Sequence, residues 1–163
     1  MDALAQIDDW PVEHAAAGVV RGGERWSHGP AERKFAWASV TKLFTAMAAL
    51  VAAEEGVLDL DEPAGPPGST VRHLLGHASG LPFDGRRPIS KPGERRIYSN
   101  TGIEVLAAFL AEKAEMPFAA YLSEAVLEPL GMSGTALEGS PAAGEPSSAV
   151  PLIPSGSSTA SER

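Results

Sequence analysis

The chain has no cysteine, which excludes disulfide staples, thiol nucleophiles and cysteine-based zinc sites together. Positive charge is scarce. Thirteen Lys and Arg face 21 Asp and Glu, for a net charge of −8. A surface of that sign repels nucleic acid and anionic lipid, so no nucleic-acid or membrane partner is expected. Long apolar runs are missing too: Leu43 to Ala53 falls well short of the about 20 residues that span a bilayer. Met1 to Trp10 carries acids where a secretory signal needs basic residues and then an apolar core, which points to a cytoplasmic protein. Histidine runs out early, with none after His77. His73 and His77 have no convergent ligands beside them, so they read as structural, and neither a metal nor a cofactor is expected.

What remains is ordinary globular material. A chain of 163 residues, 44% hydrophobic and 21% charged, is long enough for one domain with a core. Residues 2 to 9 read as a short amphipathic helix stopped by Trp10-Pro11. Ala15 to Arg21 and Glu24 to His28 flank Gly22-Gly23, the signal of a two-residue β-hairpin. Val40 to Glu55 has Leu43, Phe44, Met47, Leu50 and Val51 at helical spacing, with Ala elsewhere, and reads as a helix packed on more than one side. Ser69 or Thr70 caps a short helix from Val71. Arg95 to Tyr98 reads as a short strand, Asn100 or Thr101 caps a helix through Ala114, and Pro117 opens another to about Leu127. Glu54, Glu55, Asp59, Asp61 and Glu62 read as a solvated acidic run, and Trp10, Trp26 and Trp37 as packing residues.

The informative pattern is Ser39-Val40-Thr41-Lys42, followed by Tyr98-Ser99-Asn100. Ser39 and Lys42 lie one turn apart at the start of the helix, which puts a hydroxyl beside an amine at the positive end of the helix dipole. An amine there serves as proton acceptor for a serine nucleophile. Tyr98 adds a second proton carrier, and Asn100 an amide donor for a substrate carbonyl. Ser-x-x-Lys alone is weak, since chance supplies it roughly once in a few hundred residues. Ser39 has a bland alternative as helix N-cap, Asn100 likewise, and Tyr98 as an edge-strand aromatic.

Several segments together resemble the serine β-lactamase and penicillin-binding-protein superfamily, particularly class C β-lactamase-like serine hydrolases with their related esterases and D-amino-acid peptidases. They are Phe35-Ala-Trp-Ala-Ser39-Val-Thr-Lys42, Val57-Leu-Asp-Leu-Asp61, Thr70-Val-Arg-His-Leu-Leu-Gly-His-Ala-Ser-Gly-Leu-Pro82, Pro92-Gly-Glu-Arg-Arg-Ile-Tyr98-Ser-Asn100-Thr-Gly102 and Leu127-Glu-Pro-Leu-Gly-Met132. The resemblance covers about residues 12 to 138 in family order. It implies an α+β, β-lactamase/transpeptidase-like fold, a helical region against an antiparallel sheet. It implies acyl transfer on a small amide or ester: a β-lactam, a D-amino-acid peptide or an ester. Ser39 would be the acylated nucleophile, Lys42 its proton-transfer partner, Tyr98 the general acid/base and Asn100 a substrate contact.

One family feature is missing. The third segment, Lys-Thr-Gly or His-x-Gly on a late strand, has no counterpart, because the only Lys after Asn100 is Lys113, inside a helix. The expectation is therefore a partial domain over 1–138 without its late sheet strands, truncated or frame-shifted, and either an impaired hydrolase or an inactive remnant. Residues 139–163, dominated by Gly, Ser and Pro, are expected to be a disordered tail. An N-terminal hairpin without neighbours would leave an open sheet edge and favour self-association. A small α-rich interaction domain with accidental matches is the reading from another class.

Overall fold

A computed structural model describes residues 3–30, 32–132 and 134–137. The expected tail, 139–163, lies outside the described residues. Met1–Phe35 and Ala36–Arg163 each form a compact unit.

In the first unit a 3-10 helix, Ala3–Asp9, precedes strands β1 (Ala17–Arg21) and β2 (Glu24–His28). They pair antiparallel, with Arg21 opposite Glu24 across the Gly22-Gly23 turn. Both glycines take positive φ, 59° and 85°, as a primed two-residue turn requires. The hairpin therefore forms where Gly-Gly placed it. Each strand pairs only with the other among the described residues, which is the arrangement behind the expectation of self-association. Trp10 and Trp26 are exposed, so neither is the packing residue expected from the sequence.

The second unit is helical. Helix α1 (Thr41–Glu54) follows a 3-10 turn, Ala38–Val40. Its buried face is not the Leu and Met row. Thr41, Thr45, Ala48, Ala49 and Ala52 face inward, while Leu43, Met47 and Leu50 are exposed. Helix α2 (Val71–Leu75) is capped by Thr70, whose side chain accepts from His73 N–H while the His73 ring accepts the Thr70 N–H, a reciprocal capping box. Helix α3 (Asn100–Lys113) is capped by Ser99, whose hydroxyl accepts the Gly102 N–H at 2.8 Å, so the cap is neither Asn100 nor Thr101, the two expected, but the residue before them. Helix α4 (Phe118–Leu122) runs into a π turn, Ser123–Leu127. The four helices enclose a core of Leu74, Leu106, Leu110 and Leu122 with the alanines of α1, and Trp37 joins its edge by stacking on Phe44 at 4.1 Å.

The acidic run is not simply solvated. Asp61 meets Arg72 through two hydrogen bonds of 2.8 Å, Glu62 pairs with Lys113 at 2.7 Å, and Glu55 accepts the Tyr121 hydroxyl at 2.7 Å. These contacts tie the loop after α1 to α2, α3 and α4. Arg95 to Tyr98 forms no strand. Within it, the Ile97 N–H donates to the His77 carbonyl at 2.7 Å.

Candidate active site

Ser39 sits in the 3-10 turn that leads into α1, directly after Ala38, whose φ of 45° is unusual for a residue with a Cβ. Such a bend turns the serine out at the helix start. The N-cap position of α1 is Val40, with no side-chain cap. The Ser39 hydroxyl is thus not engaged as an N-cap, and it accepts a hydrogen bond from Lys42 Nζ at 3.2 Å.

Tyr98 closes the group from the other side. Its phenol is held below the ordinary value of 10.0, first by the hydrogen bond with Ser39, then by the hydrogen bond and charge of Lys42, with burial opposing both. The Lys42 ammonium nitrogen lies 5.1 Å from the centre of the Tyr98 ring. His77 at 4.8 Å and Phe83 at 5.9 Å flank the same ring. Tyr98 remains 44% exposed and Ser39 is exposed, so a substrate can reach both.

Ser39, Lys42 and Tyr98 therefore converge, although Tyr98 is far from the other two in sequence. Asn100 is placed differently. It is 5% exposed, its Nδ2 donates to Asp84 Oδ1 at 3.1 Å, and its backbone N–H donates to Phe83 O at 2.8 Å. Its Oδ1 is buried without a partner. Asn100 packs the loop 82–85 against the start of α3.

A hydroxyl that accepts from an amine, with a phenol beside both and the hydroxyl and phenol open to solvent, is an arrangement suited to acyl transfer. The whole of residues 7–160 matches the family model described as Beta-lactamase. The chain belongs to that family. Its fold is the β-lactamase/transpeptidase-like fold, shared by a beta-lactamase from Mycobacterium bovis at 52% identity and a TM-score of 0.81, over 85% of this chain and 52% of that one. A beta-lactamase/D-alanine carboxypeptidase from Yersinia pestis, solved with citrate, superposes with a TM-score of 0.57 at 25% identity, over 72% of this chain and 47% of that one. A penicillin-binding protein of Bacillus subtilis (strain 168) is 29% identical over 134 residues, 62% of this chain and 30% of that protein. This beta-lactamase family chain thus spans about half the length of the Mycobacterium bovis protein, and less of the Bacillus subtilis one.

Sequence reasoning missed two residues at this site. Ala38 carries no sequence signal of its strained backbone. His77, set aside as structural, has a positive φ of 56° and accepts the Ser99 N–H on Nδ1 at 3.2 Å, which places it behind Tyr98.

Proposed function

We propose that this chain carries the nucleophilic part of a serine hydrolase acting by acyl transfer on a small amide or ester: a β-lactam, a D-amino-acid peptide or an ester. The observation that carries this reading is the Lys42–Ser39 hydrogen bond of 3.2 Å, with the Lys42 nitrogen 5.1 Å from the centre of the Tyr98 ring. Ser39 Oγ attacks the carbonyl carbon while its proton passes to the Lys42/Tyr98 pair. The tetrahedral intermediate then expels the amine or alcohol, which takes up that proton. Water attacks the acyl-serine, returning Ser39 and releasing the acid.

A fluorophosphonate or penicillin probe tests the first half of this cycle. Covalent labelling at Ser39, lost in Ser39→Ala, is expected; well-folded chain that takes no label removes the reading. A second reading concerns turnover. The one lysine after Asn100, Lys113 at the end of α3, pairs with Glu62, so no residue of the described chain supplies the late Lys or His-x-Gly segment. Without the oxyanion donor associated with that segment, the chain should label yet turn over at least about a hundredfold more slowly than an intact relative. Rapid hydrolysis of a chromogenic cephalosporin by the chain alone would contradict this second reading.

A further inference from the structure

His77 is buried and touches the Tyr98 segment at three points. Its carbonyl oxygen accepts the Ile97 N–H at 2.7 Å and its Nδ1 accepts the Ser99 N–H at 3.2 Å. Its ring lies 4.8 Å from the Tyr98 ring, tilted by 42°. The residues on both sides of Tyr98 are thus bonded to His77, and Tyr98 itself rests on the imidazole. We propose that His77 is the positioning residue for Tyr98, and that protonating its ring releases the phenol from Ser39 and Lys42. This deepens the acyl-transfer reading above and rests on it for the role of Tyr98.

The chemistry follows from the direction of one hydrogen bond. To accept from Ser99, Nδ1 must be bare, so the ring is neutral with its proton on Nε2. A protonated imidazole has two N–H groups, and Nδ1 would then face the Ser99 N–H donor to donor. The charged groups acting on the ring are Arg96, in the segment before Tyr98, and Lys42 on α1, both cations. The titratable group against its face is the Tyr98 phenol. Burial first, then Arg96 and Lys42, hold the imidazole below its ordinary value of 6.5. The anchor is therefore intact at neutral pH and fails on acidification.

The backbone supplies a clean pair of variants. A φ of 56° is tolerated by Asn better than by most residues, and by Gly freely. Asn presents an amide oxygen as acceptor and does not titrate; Gly keeps the backbone and removes the acceptor.

The protection factor of the Ser99 amide, measured by NMR hydrogen exchange on the full chain across the acid range, reads the anchor without reference to activity. In the parent chain it should fall about tenfold on acidification, the equivalent of one lost hydrogen bond. His77→Asn should keep the protection and lose its pH dependence, and His77→Gly should lose the protection at every pH. Labelling of Ser39 by the fluorophosphonate should follow the same acid titration, which His77→Asn abolishes. Ser99 protection that ignores both pH and His77→Gly in folded protein overturns the proposal, as does labelling that is fast and indifferent to His77→Gly. If Ser99 protection titrates while the parent chain never labels, the positioning role stands and the acyl-transfer reading falls.

Discussion

The Ser39 hydroxyl has two possible employments, helix cap and nucleophile, and the sequence leaves both open. The structure removes the first: hydroxyls cap α2 through Thr70 and α3 through Ser99, whereas α1 starts uncapped and Ser39 meets Lys42 instead. Tyr98 yields a prediction. Its phenol is lowered chiefly by Ser39 and then by Lys42, so the deprotonated form becomes populated below the ordinary 10.0. Labelling of Ser39 should rise with pH along an alkaline limb whose midpoint lies under that value. Tyr98→Phe should erase the limb and slow labelling about a hundredfold, the usual scale of general acid–base catalysis. Thermal melts should barely change, because the ring is 44% exposed. A Tyr98→Phe chain that labels at the parent rate assigns the proton transfer elsewhere.

Among the elements, those governed by local signals were legible. Gly22-Gly23 placed the hairpin, the apolar row ending at Gly56 placed α1, and Thr70 placed the start of α2. What failed were judgements that depend on distant partners. The Arg95–Tyr98 segment has the look of a strand, yet its neighbours are the backbone and ring of His77. The spacing in α1 predicts packing on more than one side; the alanines Ala48, Ala49 and Ala52 are inside, while Leu43, Met47 and Leu50 are exposed, because the inward face meets α3 and α4. Ser-x-x-Lys and Tyr-x-Asn named the candidate site; only the fold revealed that Asn100 is turned toward Asp84. Ser99, passed over in favour of its neighbours, carries the element-scale prediction. Its hydroxyl accepts from Gly102 N–H and donates to the Pro82 carbonyl at 2.6 Å. Ser99→Ala should cost about 1 kcal/mol for the cap, with a further contribution from the Pro82 carbonyl left without its donor. A lower urea midpoint with unchanged slope is the expected result, and an unchanged midpoint would show that the cap is dispensable.

Over the whole molecule, four titrating groups besides the exposed Tyr98 shape stability against pH. His77 is lowered by burial and two cations, so its contribution is complete above the ordinary 6.5 and is lost as pH falls toward its folded value. Asp61 is lowered mainly by Arg72, and Glu62 mainly by Lys113; their contributions hold above the ordinary 3.8 and 4.5 and fade on further acidification. Tyr121 runs the other way. Burial, and then the Glu55 carboxylate, raise its phenol, so its contribution is complete below 10.0 and declines above it. Thermal melts across pH should therefore decline on both sides, with the acid side beginning below neutrality. Tyr121→Phe should flatten the alkaline decline and leave the acid side as it was; an alkaline side unaltered by this change would trace the decline to another group. The alanine face of α1 has one more consequence. Ser39 rides just ahead of α1 and Tyr98 just ahead of α3, and the two helices pack together, with Ala48, Ala49 and Ala52 in the same core as Leu106 and Leu110. On the acyl-transfer reading, the separation of Ser39 from Tyr98 is therefore gauged by the core around Ala48, Ala49 and Ala52, spacers further along the helix than the hydroxyl itself.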